Sequence, residues 1–327
     1  MTILHKGVFR PRAGMKPLKR WSNAMYYTGF ADEAAVTIDG QIAATKELGW
    51  QFIESRNVSG LSIHDLPECK FDEVREKLDA AGIQINCIGS EVANWRKDPF
   101  LEADYLLSIA QLERSIRRAK ILGCKMIRGM SFRARLDLPA FDENLEKTVI
   151  RKVKYLVSMC EDAGIIYLHE NCNNNAGMSW KHTLRLLDAI DSPALKLAFD
   201  TGNPVMLFDR SEGDALDKLQ DSWQYYSNVK QFIHYVHIKD GVALGMERAE
   251  NGFGKMRYTF PGEGDGHVRE ILTDLFRNGY DGGLSIEPHL GRVFHEPVPD
   301  DDSVNANYVE YGRRLMTMVD EIKAALK

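Results

Sequence analysis

The chain has no CxxC pair, no long unbroken apolar run and no excess of basic charge. Its five cysteines, Cys69, Cys87, Cys124, Cys160 and Cys172, are odd in number and scattered, so a disulfide framework is not expected and they read as reduced thiols of a cytoplasmic protein. A membrane helix needs about 20 consecutive apolar residues, and no such stretch is present. The first residues, Met1 to Lys6, lack the apolar segment and small-residue cleavage site of a signal peptide. Lysine and arginine number 42 against 47 acidic residues, a net charge of −5, which weighs against a nucleic-acid partner. What is present is ordinary for a globular fold: 327 residues, 44% hydrophobic and 27% charged, ample for a deep core.

One unit recurs along the chain. A segment with helical spacing ends in glycine and a short apolar strand follows, at 50–54, 83–88, 124–128, 165–170 and 283–287. The glycines are Gly49, Gly82, Gly123, Gly164 and Gly279, placed where a helix ends in a left-handed residue. Strands at 195–200 and 235–240 fit the rhythm without the glycine, and 26–30 makes eight. Between them apolar residues fall at helical spacing, as in Phe71, Val74, Leu78 and Ala81, or Leu145, Val149, Val153, Leu156 and Cys160. Eight strand–helix units predict the α/β class and a (β/α)8 TIM barrel over 25–327. A doubly wound sheet would want a glycine-rich turn after its first strand, which Gly29-Phe30-Ala31-Asp32-Glu33 is not. Residues 1–24 read as a basic N-terminal arm. A C-terminal helix over 305–327 carries Tyr308, Tyr311, Leu315, Met318 and Ile322 on one stripe.

In such barrels chemistry sits at the C-terminal strand ends. Those ends carry Glu54, Glu91, Arg128, Glu170, Asp200, His237 and Glu287. Carboxylates gathered in a barrel mouth are costly without compensation, and three of them with one imidazole at four consecutive strand ends suit a divalent cation. Oxygen-rich ligation with one histidine fits Mn²⁺, Mg²⁺ or Co²⁺ better than a structural zinc.

The motifs His169-Glu170-Asn171-Cys172, Phe199-Asp200-Thr201-Gly202-Asn203, Val236-His237-Ile238-Lys239-Asp240, Pro261-Gly262-Glu263-Gly264-Asp265-Gly266 and Ser285-Ile286-Glu287-Pro288-His289 resemble the sugar phosphate isomerase/epimerase superfamily of xylose-isomerase-like barrels. The likeness covers roughly residues 26 to 292 and implies one divalent metal held by Glu170, Asp200, His237 and Glu287. It also implies a reaction: Glu170 and Glu287 match the two glutamates that move a proton on and off the carbon beside a sugar carbonyl. The chain departs from the ketose 3-epimerases of this group at two sugar contacts. Position 203 is Asn where they have His, and Lys239 stands near where they have Arg. A free ketohexose is therefore not the expected substrate, and Lys239 and Asn203 remain candidates for binding substrate oxygens.

The same chemistry drives β-elimination when a leaving group lies β to the carbonyl. The catalytic subunit of bacterial C-glycoside deglycosidases, a Mn²⁺ barrel acting on 3-keto glycosides beside a small partner subunit, is similar in this respect. The competing classes are an endonuclease IV-like DNA repair enzyme, which needs more histidines and a basic groove, and a non-catalytic barrel subunit. A small-molecule sugar or keto glycoside is the expected ligand.

Single residues carry alternatives. Strand alternation turns His169 outward, whereas a bent strand end would make it a second catalytic base. His289 shares the face of Glu287 and borders substrate unless Pro288 disturbs the pattern. Glu54 and Arg128 are salt-bridged rim or substrate contacts. The run from Asn171 to Asn175 is by default a flexible loop, and its place after Glu170 offers a hydroxyl-binding lid as the alternative. Trp95, Trp180 and Trp223 are core residues or sugar-stacking faces, and Cys172 has no base to make it a nucleophile. The pair Tyr225-Tyr226 and the basic arm suggest an oligomer.

Overall fold

Eight short parallel strands hydrogen-bond in the order β1-β8-β7-β6-β5-β4-β3-β2. They are β1 (Tyr26–Gly29), β2 (Phe52–Ser55), β3 (Gln84–Gly89), β4 (Met126–Gly129), β5 (Ile166–Glu170), β6 (Leu195–Asp200), β7 (Ile233–Ile238) and β8 (Gly283–Ile286). A single parallel bridge between Phe30 and Glu54 closes the ring where β1 meets β2. The helices are α1 (Ile38–Glu47), α2 (Glu68–Ala81), α3 (Glu102–Leu122), α4 (Glu143–Ala163), α5 (Trp180–Ile190), α6 (Ser222–Val229), α7 (Val268–Arg277) and α8 (Ala306–Ala325). The computed structural model describes residues 25–248, 254–291 and 305–327, so the arm predicted at 1–24 lies outside the described residues.

The eight predicted strands are all present, with ends shifted by a residue or two, and the fold is the TIM barrel. The repeated glycine has the predicted use: Gly49, Gly82, Gly123, Gly164 and Gly279 have φ of +71°, +69°, +70°, +67° and +76°. α8 seals the last gap. Its first turn is capped by Asn305, whose amide also donates to the Glu33 and Leu290 carbonyls at 3.1 and 2.7 Å, and Tyr308, Tyr311, Leu315, Met318 and Ile322 are all buried.

The two-residue period divides each strand between an inner and an outer layer. Ile127, Tyr167, Phe199, Val236 and Ile286 face the helices in the main core. Met126, Ile166, Leu168, Ala198 and Tyr235 fill the barrel interior. Continuing the inner rows upward gives Arg128, Glu170, Asp200 and His237, so alternation alone delivers them to the mouth.

Two features were not read from the sequence. After β7 the chain leaves the barrel at Ile238, two residues earlier than predicted, and builds an antiparallel hairpin of Gly241–Arg248 and Gly254–Tyr258 beside the mouth. The glycine-rich loop is wound around a side chain of its own. Asp240 is fully buried, and its carboxylate accepts the backbone N–H of Gly241 (2.9 Å), Gly262 (2.7 Å), Gly264 (3.2 Å) and Gly266 (2.9 Å). A Cβ at Gly264 would strike that carboxylate and one at Gly266 would lie 2.8 Å from it, which explains both glycines. The cradle is thus filled by the protein.

The pair Tyr225-Tyr226 is a correction. Both rings are buried, Tyr225 hydroxyl meeting Thr183 at 2.6 Å and Tyr226 hydroxyl donating to Asp274 at 2.7 Å, so they bind α6 to its neighbours rather than to another subunit.

Replacing Asp240 leaves four N–H groups facing an emptied space. Asp240→Ala is expected to lower unfolding free energy by about 3 kcal/mol or more. Urea titration followed by circular dichroism measures it, and a change under about 1 kcal/mol would contradict this account of the loop.

Candidate metal centre and substrate cavity

Glu170, Asp200, His237 and Glu287 each present one ligand atom within 4.8 Å of the others, and all four are buried. Register explains the convergence: Asp200 is paired with His237 across β6 and β7, and His237 with Ser285 across β7 and β8, so Glu287 lies one inward step beyond.

His237 is the oriented member. Its Nε2 faces the Glu54 carboxylate at 3.1 and 3.3 Å, and Glu54 also accepts the Ser285 hydroxyl at 2.6 Å. With Nε2 engaged, Nδ1 points at Glu170 Oε1 (3.6 Å) and Asp200 Oδ2 (4.0 Å) and has no hydrogen-bond partner. A buried ring nitrogen aimed between two carboxylates, on an imidazole held from behind by a third, is an arrangement in which a divalent cation can take the place of the Nδ1 proton. The donor set of three carboxylates and one imidazole fits as well.

The charges reinforce the geometry. Asp32, Glu33, Glu54, Glu170, Asp200 and Glu287 stand against Arg56, Arg128, Lys239 and a protonated His237, an excess of two acids at the barrel mouth. Burial pulls the His237 imidazole toward neutrality, but Glu54 and Glu170 outweigh it and hold it at about 10. Burial, opposed by Lys239 and helped by Glu287 and Glu170, raises the Asp200 carboxyl to about 6. Burial would also raise Glu170, but Arg128 and His237 bring it down to about 2. The His237 and Asp200 shifts each include negative neighbours that a cation would offset, whereas the low Glu170 value reports the positive Arg128 and His237 beside it.

Each glutamate has one oxygen toward the ligand group and one held by an arginine. Glu170 Oε1 accepts the Asn203 amide at 3.1 Å while Oε2 lies 3.2 Å from Arg128 Nε. Glu287 Oε2 lies 2.7 Å from Lys239 Nζ while Oε1 accepts from Arg56 at 2.9 Å. Lys239 also reaches Asp200 (3.2 Å) and Asn203 (3.1 Å). A cavity of about 400 Å³ opens above them, lined among others by Arg128, Glu170, Asn203, Lys239, Glu287 and His289.

Three residues expected at the site are placed elsewhere. His169 falls on the outer face of β5, with Nε2 3.1 Å from the Ser131 hydroxyl, and burial pulls its imidazole down to about 4. The alternation of the strand continues to its end, so His169 is not a second base. Glu54 is fully buried behind His237 and orients it instead of touching substrate. Asn171 spends both ends of its amide on Asp200, donating to the carbonyl at 2.9 Å and accepting the N–H at 2.6 Å. The asparagine run is no lid: Asn174 is bonded to Ser131, Glu170 carbonyl and Gly177 N–H, and only Asn173 of the run is part-exposed. Cys172 borders the cavity with its thiol pushed well up by burial, an unreactive form. Of the tryptophans, Trp95 borders the cavity, Trp180 packs on the core and Trp223 lies against Tyr226.

Sequence reasoning missed Asp32, Glu33 and Arg56. Arg56 follows Glu54 by two residues, so the strand period pointed to it, and it binds Asp32 (2.9 Å), Glu33 (3.1 Å) and Glu287 together. Glu33 sits on a single turn after β1, where no periodicity exists. It fixes His289 through both the backbone N–H (2.7 Å) and Nδ1 (2.9 Å), and His289 keeps a left-handed φ of +53° uncommon outside glycine. Glu33, Glu287 and His289 form a second cluster of ligand type, but Arg56 already bonds both of its carboxylates.

The fold and this group define a TIM barrel with a buried Glu/Asp/His cluster at its mouth that could hold a divalent cation. The chain belongs to the xylose isomerase-like TIM barrel family, whose profile matches residues 42–306. An inosose dehydratase of Clostridium perfringens strain 13 is 25% identical over 194 residues, covering 54% of this chain and 62% of that protein, so the match spans under two thirds of the relative. A D-tagatose 3-epimerase-like protein superposes with a TM-score of 0.68 at 16% identity, over 93% of this chain and all of the other. A probable 3-DHS dehydratase, AsbF of Bacillus anthracis, gives 0.66 at 16% identity over 90% and 99%. No helix among the described residues is long and apolar enough to cross a membrane.

If Glu54 orients the ligand histidine, Glu54→Ala lowers Mn²⁺ affinity roughly 10–100-fold. Glu54→Gln, which still accepts from Nε2, loses less. Electron paramagnetic resonance of free Mn²⁺ during titration reads both, and unchanged affinity in Glu54→Ala would refute the role.

Proposed function

We propose that this chain is a divalent-metal-dependent enzyme, most suited to Mn²⁺, that removes the proton from the carbon beside the carbonyl of a sugar-like substrate. The observation carrying this reading is the pair Glu170 and Glu287, which share one ligand group and both border the cavity floor. A cation bound there supplies Lewis-acid polarisation of a carbonyl oxygen. The protein's own residues do the remainder. One glutamate takes the proton and the other returns one, to carbon or to a departing oxygen. Arg56 and Arg128 hold the outer carboxylate oxygens, which keeps each glutamate in a fixed orientation. Lys239 and Asn203 are joined at 3.1 Å beside Glu170, so the ammonium supplies a fixed positive charge that would favour negative charge developing on a substrate oxygen.

Between the two outcomes, epimerisation and β-elimination, we favour elimination. Asn203 and Lys239 replace the contacts with which epimerases hold a free ketohexose. Relatives named as dehydratases, in which water is the leaving group, support the same direction. The particular alternative is a lyase that cleaves 3-keto C-glycosides, as in C-glycoside deglycosidases, where the aglycone departs and a small partner subunit is expected.

Glu170→Gln is expected to lower kcat on an inosose or a 3-keto glucoside by 10³-fold or more, since the amide has no basic oxygen pair for the proton. Steady-state assay of the Mn²⁺-loaded variant tests this, and activity within tenfold of wild type would sink the mechanism.

A further inference from the structure

The pairing of β2 with β3 slips by one residue beside the carboxylate that holds the ligand histidine. Ile53 lies opposite Ile85, but Glu54 lies opposite Cys87, and the residue passed over is Asn86. Ile85 and Ile88 still face the helices, while Cys87 belongs to the interior group and Asn86 bonds to side chains inside the barrel. The pairing of β6 with β7 slips likewise, Leu197 opposite Ile233 but Ala198 opposite Tyr235, another interior residue. Such bulges re-aim side chains. The first brings an amide into an interior built largely of Met126, Ile166, Leu168 and Ala198, and its carbonyl is satisfied by the Cys124 thiol at 3.2 Å.

An amide inside a barrel is costly unless its groups find partners. Asn86 Oδ1 accepts the Thr28 hydroxyl at 2.8 Å, and Asn86 Nδ2 donates to the Tyr235 hydroxyl at 2.9 Å. Tyr235 is hydrogen-bonded in turn to Ser285. Ser285 gives its own proton to Glu54 Oε2 at 2.6 Å, so it accepts from Tyr235. The sense of the chain is uniform: protons point from Asn86 through Tyr235 and Ser285 to the Glu54 carboxylate, which faces His237 Nε2 on its other side. Donors aligned in one direction strengthen one another in a low-dielectric interior. Thr28, Glu54, Tyr235, Ser285 and His237 are wholly buried and Asn86 nearly so.

We propose that Asn86, Tyr235 and Ser285 are positioning residues for the cation site: a column of hydrogen bonds, anchored on the β3 bulge, fixes the Glu54 carboxylate and through it the His237 ring. None of the three lines the cavity, so they act on the site only through Glu54. This role rests on the reading of Glu170, Asp200, His237 and Glu287 as ligands of a cation.

Mn²⁺ titration followed by electron paramagnetic resonance of the free ion compares wild type with Ser285→Ala, Tyr235→Phe and the double variant, with circular dichroism verifying the fold. Ser285→Ala is expected to weaken binding about tenfold. Tyr235→Phe loses roughly threefold, and in the Ser285→Ala background it loses nothing more, because the phenol then has no route to Glu54. Wild-type affinity in Tyr235→Phe, or losses that multiply in the double variant, would overturn the proposal. Proton NMR of the metal-free protein gives a second readout. The resonance of the His237 Nε2 proton is expected to shift in both single variants, and an unmoved resonance contradicts the column. Failure of the underlying reading looks different: a wild-type protein that binds no Mn²⁺, while that resonance moves in both variants, keeps the column and contradicts the cation site alone.

Discussion

The contact on which the site depends is the one between Glu54 and His237, both fully buried. An imidazole in a barrel interior has two nitrogens to satisfy, and burying either without a partner costs free energy. Glu54 satisfies Nε2, which fixes the ring and directs Nδ1 at Glu170 and Asp200. The bridge between Phe30 and Glu54 is also where the barrel closes. Ring closure, the histidine's orientation and the geometry of the Glu/Asp/His cluster are therefore one constraint, and a barrel that opened between β1 and β2 would lose that cluster as well.

From that constraint the polar mouth follows. Six acids outnumber Arg56, Arg128, Lys239 and a protonated His237, and the surplus is tolerated because most of these groups are paired. Arg56 ties the turn after β1 to Glu287, Lys239 ties β6 to the end of β8, and Asn203 bridges Lys239 to Glu170. Such ties leave little freedom for rearrangement at the floor.

The barrel was legible because its signals are local. A glycine closing each helix and a two-residue apolar alternation recur regardless of tertiary context, and the alternation that brought Asp200 and His237 inward also turned His169 out. What could not be read depends on contacts between distant segments. Glu33 reaches His289 across 256 positions from a turn with no periodicity. Asn171 looks like a substrate ligand by its place after Glu170, but its amide matches the Asp200 backbone on the neighbouring strand. The hairpin after β7 was hidden because Lys239 and Asp240 read as a continuing strand, while Asp240 instead turns away to hold the glycine loop.

The most direct test of the central claim, proton abstraction beside a sugar carbonyl, is proton NMR in D₂O of Mn²⁺-loaded protein mixed with an inosose or a 3-keto glucoside. The account predicts loss of the signal from the hydrogen next to the carbonyl, with elimination product accumulating at the same or a lower rate. Retention of that hydrogen while the substrate is otherwise consumed would contradict it.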